Sequence, residues 1–191
     1  MKRYVALRPG LSHAWAAGGR LYRALGRIDD HYGAASWAEG LDWLVERTAG
    51  ETIAEIQYWG HGHRGCAWID RDRLDITALS PGHALHDKLA TLVPRMLDGG
   101  RALWWFRTCD TFGTQTGKDF ARAWTRFFNS RAAGHTHVIH VLQSGLHTLA
   151  PDEEPTWSSD EGVIPGEHNG RTSRIGAPRT ITFLGNSVPK S

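Results

Sequence analysis

Apolar residues in this chain fall into short runs that alternate with stretches of helical periodicity. Runs rich in β-branched and aromatic residues, which predict strands, occupy residues 4–7, 52–59, 66–69, 102–108, 137–143 and 180–184. Amphipathic segments separate most of these runs. Because helices and strands alternate, the pattern predicts an α/β fold, a three-layer sandwich with a mostly parallel central sheet.

Polar residues indicate where the helices begin. Ser36 and Glu39 form a capping-box pattern, and Ser80-Pro81 places proline at the first position of a second helix. A third helix is expected to be capped by Thr116, and its apolar stripe comprises Phe120, Trp124, Phe127 and Phe128. Before residue 36, glycines such as Gly18-Gly19 interrupt the pattern, so only two helical turns are expected there.

Chain length, net charge and cysteine content narrow the class of protein. The chain has 191 residues, which predicts one domain over residues 1–191. A net charge of +2 without a basic run does not indicate binding to nucleic acid or to a membrane surface. Two cysteines and the lack of a signal-peptide pattern or membrane-spanning stretch predict a reduced, cytoplasmic protein. No pattern predicts a cofactor, and none sets the oligomeric state.

The residues with the clearest chemical potential follow two of the predicted strands. His61 comes directly after the run 52–59, between Gly60 and Gly62, and Cys109 comes directly after the run 102–108. A parallel α/β sheet places its chemistry beyond the carboxyl ends of its strands. We therefore expect His61 and Cys109 to meet as base and nucleophile.

The local sequence supports these two roles. Cys109 precedes a helix whose first-turn amides favour a thiolate, and the amide of Gly62 and those of residues 110–117 are candidates for an oxyanion site. The alternative for Cys109 is a buried structural cysteine. His63 is a competing base, but His61 is preferred because it lies nearer the strand end.

These motifs carry a family resemblance. Tyr58-Trp-Gly-His61-Gly62 and Trp105-Phe-Arg-Thr-Cys109 are similar to the His-Gly and Ala-Cys strand ends of the caspase-like cysteine peptidases of clan CD. The gap of 48 residues suits that clan. The chain also resembles bacterial domains of unknown function in the clan. The match covers roughly residues 50–145. Arg107-Thr108 before the cysteine and Asp110 after it depart from the caspase pattern.

The resemblance implies a cysteine peptidase acting on a peptide or protein. Cys109 attacks the carbonyl carbon, His61 assists proton transfer, and the amides of Gly62 and Cys109 hold the oxyanion. In the clan, the strand after the cysteine strand helps to build the substrate pocket. Residues 143–162 are therefore expected to form one wall, with Gln143, Ser144 and Trp157 in contact with substrate.

The charges near this predicted wall suggest a substrate preference. Asp110 follows the nucleophile, and a group of acidic residues lies within the wall: Asp152, Glu153, Glu154, Asp160 and Glu161. A carboxylate at the base of a pocket pairs with Lys or Arg, so we expect cleavage after basic residues. The alternative is a solvated acidic loop.

Two other functions stay open at the sequence level. His61 and His63 form a two-ligand pattern that Asp110, His137 or His140 would complete in a metal-dependent hydrolase. The pattern recurs at His135-Thr-His137, so histidine richness explains part of it. The other is a non-catalytic binding module on the same fold.

Overall fold

The computed structural model describes residues 2–7 and 12–184. In chain order the strands and α-helices are β1 (Lys2–Leu7), α1 (Ser12–Ala24), β2 (Asp30–Gly33), α2 (Trp37–Arg47), β3 (Ile53–Trp59), β4 (His61–His63), β5 (Cys66–Ile69), β6 (Asp72–Leu74), α3 (His86–Leu92), β7 (Leu103–Arg107), α4 (Thr114–Phe128), β8 (Arg131–His135), β9 (Leu142–Gln143), β10 (Leu146–Leu149) and β11 (Ile181–Thr182).

A six-stranded sheet organises these elements, in the order β10-β8-β7-β3-β1-β2. Its neighbouring strands run parallel except that β10 is antiparallel to β8. The predicted mixed α/β fold with a mostly parallel sheet is therefore confirmed. β3 and β7 lie side by side, and Trp59 stands opposite Arg107 at their carboxyl ends.

Both faces of the sheet are covered because its strands carry apolar residues on both sides. On β7, Trp104 and Phe106 belong to the main core, together with residues of α2, α3 and α4. Leu103 and Trp105 belong to a separate cluster that Ile181 of β11 covers. On the same side, Tyr22 of α1 packs with Val5 and Trp59. This layering is consistent with a three-layer sandwich.

The predicted helix starts have mixed outcomes. The α2 cap is confirmed, because the Ser36 side chain accepts a hydrogen bond from the Glu39 amide. α3 begins at His86 and not after Ser80, since Gly82 has a φ of 89°, outside the helical region. α4 begins at Thr114 with Gly113 as its N-cap, so Thr116 lies inside the helix.

The region before Ser36 is more regular than the sequence predicts. α1 continues through Gly18, where a Cβ atom would lie 3.0 Å from Cζ of Phe183. The glycine therefore makes room for an aromatic ring. β2 was not predicted, because its residues Asp-His-Tyr-Gly lack an apolar alternation.

The strand predicted at residues 137–143 is wrong. The strand next to β7 is β8, which ends at His135, and Leu142–Gln143 pairs instead with β11 in a separate two-stranded sheet. β8 is rich in small residues of low strand propensity. At Gly134 a small residue is required, since a Cβ atom there would lie 2.5 Å from Cδ1 of Phe112.

The other strand predictions hold in outline. Cys66–Ile69 pairs antiparallel with β4, and β11 falls within the predicted last strand. Residues 151–178 carry turns and one isolated bridge, between Thr172 and Val138. In the part of the chain that the structure describes, no helix has the length and apolar character needed to cross a membrane.

Candidate functional site

A cavity of about 750 Å³ opens beyond the carboxyl ends of β3 and β7. His61, Gly62, Cys109 and Asp110 all line it. The sheet register explains their meeting, because Trp59 pairs with Arg107 and the two candidate residues each come two positions later. The structure thus brings the predicted base and the predicted nucleophile to one cavity.

A hairpin carries the histidines of this cavity. β4 and β5 pair through the two-residue turn Arg64-Gly65, whose φ values of 38° and 86° are those of a primed turn. The Arg64 amide donates to the Asp110 carbonyl at 2.8 Å, and the Gly65 amide donates to the Thr111 carbonyl at 2.8 Å. The tip of the hairpin is therefore bound to the loop that follows Cys109.

Two glycines allow this close approach. A Cβ atom at Gly62 would lie 2.1 Å from Oγ1 of Thr111, and one at Gly65 would lie 2.7 Å from the Thr116 carbonyl oxygen. Neither position has room for a side chain. The glycine next to His61 thus has a packing role in addition to any role of its amide.

Cys109 is a half-buried free thiol. Its Sγ donates a weak contact to the Ile139 carbonyl at 3.8 Å. Burial raises the pKa of this thiol, a backbone hydrogen bond of Ile139 opposes the rise, and the Asp110 charge adds to it. The expected stabilisation of a thiolate is therefore wrong: α4 begins only at Thr114, and burial raises the pKa of the Cys109 thiol instead.

Asp110 is a buried carboxylate at the base of the cavity, with 2 % of its surface exposed. Its Oδ2 lies 3.3 Å from Nδ1 of His63 and 3.4 Å from Nε of Arg64. Burial raises the pKa of Asp110 to about 6, and Arg64 opposes that rise. At neutral pH the carboxylate is ionised and is bound by basic residues of the hairpin.

The three imidazoles that line the cavity differ in their environments. His61 is exposed, whereas His63 is partly buried, and the His63 ring centroid lies 4.5 Å from that of His168. Burial lowers the pKa of His63 to about 4, with Arg64 and His168 acting in the same direction. His63 is therefore neutral at pH 7, and its Nδ1–H is suited to donate to Asp110.

His168 is a cavity residue that the sequence analysis missed. It lies in the region predicted as loop, and with Asn169, Gly170 and Thr172 it lines the cavity. Val138 lines it as well, and the Val138 amide donates to the Arg171 carbonyl at 2.9 Å. A histidine among loop glycines carries no sequence signal that would place it here.

Three predicted substrate-binding residues lie outside this cavity. Gln143 is buried, and its Oε1 accepts hydrogen bonds from Arg107 at 3.0 and 3.3 Å. Ser144 is buried and contacts Ser173 and Thr180. The cause is the position at which β8 ends. Because β8 ends at His135, the segment that follows it beside Cys109 is residues 136–141 and not residues 143–162.

Trp157 has a structural environment of its own. Its ring stacks on Phe112 at an interplanar angle of 4°, and its Nε1–H donates to the Phe112 carbonyl at 3.0 Å. With His147 and Arg179 it lines a second cavity of about 330 Å³ beside β10. The structure therefore separates Trp157 from His61 and Cys109.

The acidic residues of the predicted wall contact other parts of the molecule. Glu154 pairs with Arg122 and Arg126 of α4, and Glu161 pairs with His147. None of the five acidic residues from 152 to 161 lines the cavity of about 750 Å³. The carboxylates that do line it are Asp70 and Asp110.

The alternative metal site is not assembled. Across residues 2–7 and 12–184, no three His, Cys, Asp or Glu side chains form a group able to hold a metal ion. His63 and Asp110 are in contact, but His137 lies beside Thr136, with 3.0 Å between its Nδ1 and the Thr136 Oγ1.

Comparisons of the chain with protein-family models, with curated proteins and with solved structures gave no significant match.

Proposed function

We propose that this chain is a cysteine peptidase with a caspase-like arrangement, in which Cys109 is the nucleophile and His61 transfers the proton. The observation that carries the proposal is the meeting of both residues at the carboxyl ends of adjacent parallel strands, on one cavity. A cavity of about 750 Å³ has room for the side chain and backbone of an extended peptide.

The chemistry follows from these groups. The sulfur of Cys109 attacks the carbonyl carbon of the scissile bond and its proton passes to His61, which gives a tetrahedral oxyanion intermediate. This intermediate collapses to a thioester as the C–N bond breaks and His61 gives the proton to the leaving amine. Water then hydrolyses the thioester, which releases the acid and restores the thiol. Because burial raises the pKa of Cys109, proton removal accompanies the attack and does not precede it.

The geometry of the hairpin supports Gly62 as an oxyanion donor. In a hairpin with a two-residue turn, the residues flanking the turn, His63 and Cys66, form the hydrogen-bonded pair. The next pair, Gly62 and Ala67, is then a non-hydrogen-bonded one, so the Gly62 amide faces away from β5. The amide is available to a substrate oxyanion in the cavity, together with that of Cys109.

Turnover of a fluorogenic peptide library tests the proposal. Cys109→Ala should lower kcat/KM by at least about 10³-fold, because the covalent step is lost. His61→Ala should lower kcat by about 10²-fold or more. Cys66→Ala is the matched control, since Cys66 is buried and its Sγ donates to the His63 carbonyl at 2.8 Å. Activity that survives Cys109→Ala and is lost in Cys66→Ala would refute the assignment.

One observation favours a second candidate, a non-catalytic binding module. The raised pKa of the Cys109 thiol is also what a buried structural cysteine shows. If no library peptide is cleaved, peptides that bind the wild-type chain and Cys109→Ala with equal affinity would support the binding module.

A further inference from the structure

The hairpin that carries His61 is not part of the central sheet. β4, β5 and β6 form a separate three-stranded antiparallel sheet. The ladder between β3 and β7 therefore ends at Trp59 and Arg107, before either candidate residue. Contacts between the hairpin and the loop after β7 therefore help to fix the position of His61 relative to Cys109.

Asp110 makes these contacts with both its backbone and its side chain. Its carbonyl accepts from the Arg64 amide at 2.8 Å, and its Oδ2 lies 3.3 Å from Nδ1 of His63 and 3.4 Å from Nε of Arg64. Its own amide donates to the His137 carbonyl at 3.0 Å. One residue thus joins the hairpin, the nucleophile loop and the segment after β8.

The backbone of this loop is adapted to hold the carboxylate inward. Asp110 has a φ of 50°, in the left-handed region that few non-glycine residues adopt. A Cβ atom at Gly113 would lie 1.8 Å from Oδ1 of Asp110, so only glycine leaves room for this carboxylate. Strained backbone of this kind persists where the surroundings hold it and is concentrated at functional sites.

We infer that Asp110 is a positioning residue whose buried carboxylate holds the β4–β5 hairpin against the nucleophile loop, so that His61 stays aligned with Cys109. This inference rests on the proposed peptidase function for its catalytic consequence. It also replaces the expectation that Asp110 binds a basic substrate side chain. With 2 % of its surface exposed and Oδ2 shared by His63 and Arg64, the carboxylate has little surface left for a substrate.

The test compares Asp110→Asn with Asp87→Asn. The control residue has a fully exposed side chain, 100 %, on α3. Hydrogen exchange reads the hairpin directly, and the Arg64 and Gly65 amides of Asp110→Asn should exchange at least about tenfold faster. Asp87→Asn should exchange as the wild type does. Unchanged exchange at Arg64 and Gly65 would overturn the inference, and this readout needs no substrate.

Kinetics separate positioning from substrate binding and from folding. Asp110→Asn should lower kcat by about 10- to 100-fold, equally for peptides with basic and with apolar residues before the cleaved bond, with KM within about twofold. Its thermal midpoint should stay near that of the wild type. A loss confined to basic substrates, or one that appears in KM, would overturn the inference. If the wild type cleaves nothing, the proposed function fails, and the exchange readout alone decides the inference.

Variants on the hairpin side keep the test valid if Asp110→Asn does not fold. His63→Gln and Arg64→Gln remove the partners and leave the nucleophile loop intact. Each should accelerate the exchange of the Gly65 amide. Where Asp110→Asn folds, the double variant with Arg64→Gln should exchange little faster than either single variant, because both changes remove one contact. If the two substitutions accelerated exchange additively, the inference that Asp110 and Arg64 act through one contact would be wrong.

Discussion

We expect His135 to make the stability of the protein strongly dependent on pH. The side chain is fully buried at the end of β8, its Nδ1 lies 3.1 Å from the Ser144 carbonyl oxygen, and its Nε2 is buried with no partner among the described residues. Burial lowers the pKa of His135 from 6.5 to about 3; Ser144 opposes this effect, whereas Arg107 reinforces it. The folded state therefore holds a neutral imidazole that the unfolded chain protonates at mildly acidic pH.

The sign and the size of the effect follow from these two pKa values. Because the folded pKa lies below the unfolded one, the unfolded state binds more protons between pH 6.5 and 3, and stability falls as pH falls through that window. From pH 7 to pH 5 this single group is expected to remove about 2 kcal/mol from the free energy of unfolding.

His63 and Asp110 also have strongly shifted pKa values, but their effects on the pH dependence of stability oppose each other. The pKa of His63, lowered to about 4, removes stability as pH falls, whereas that of Asp110, raised to about 6, restores stability as its buried charge is neutralised. Over the window from pH 6 to pH 5 the two contributions act in opposite directions. His135 therefore dominates the acid dependence among the groups with the largest shifts.

The assay is urea-induced unfolding of the wild type and His135→Gln at pH 7 and pH 5. The glutamine retains an amide donor for the Ser144 carbonyl and does not titrate. His135→Gln should lose about 2 kcal/mol less than the wild type between the two pH values. Leu146→Ala is the control, since Leu146 pairs with His135 across the sheet and does not titrate. It should change the free energy of unfolding by the same amount at pH 7 and at pH 5. Parallel pH dependence of the wild type and His135→Gln would refute the reasoning.

Three further predictions concern the cavity. The alkylation rate of Cys109 by iodoacetamide should keep rising through pH 9, because burial raises the pKa of the thiol, and a plateau near pH 7 would contradict that environment. Gly62→Ala should lower kcat at least about tenfold, since the new methyl group would lie 2.1 Å from Oγ1 of Thr111; activity equal to that of the wild type would exclude this tight packing. In a fluorogenic panel that varies only the residue before the cleaved bond, Lys and Arg are the expected preference, and faster cleavage after Asp, Asn or Leu would reject it.

The two strand ends that carry His61 and Cys109 were predictable because β3 and β7 are mostly apolar. Such runs indicate strands covered on both faces, and neighbouring parallel strands end at one edge of the sheet. These local signals suffice to place His61 and Cys109 on one cavity. The pairing of Cys66–Ile69 with His61–His63 was not predictable, because His-Gly-His gives no strand signal.

The side of the cavity that Val138 and the segment 168–172 form was not predictable from local sequence patterns. Ala132, Ala133 and Gly134 have low strand propensity, and they lie in a strand because Phe112 packs on Gly134. That contact is a tertiary one, and a shift of the strand end from Gln143 to His135 moves the expected wall to a different segment. His168 reaches the cavity from a loop for the same reason, through contacts distant in sequence.

The Asp110 contacts also lie beyond what sequence alone indicates. A carboxylate next to a candidate nucleophile suggests a substrate contact, but the turn at residues 64–65 places His63 and Arg64 against it first. The left-handed backbone of Asp110 directs the side chain inward. The sequence therefore suggested a substrate contact for Asp110, whereas the structure places its carboxylate against His63 and Arg64.

Active-site labelling tests the central claim most directly. The chain is treated with a peptidyl acyloxymethyl ketone, which forms a thioether with a catalytic cysteine and releases a carboxylate, and the adduct is located by peptide mass mapping. We predict one adduct, on Cys109 and not on Cys66, with labelling slowed in His61→Ala. An adduct on Cys66, or labelling of Cys109 no faster than by the same electrophile without its peptide, would contradict the assignment of Cys109 as the nucleophile of a peptidase.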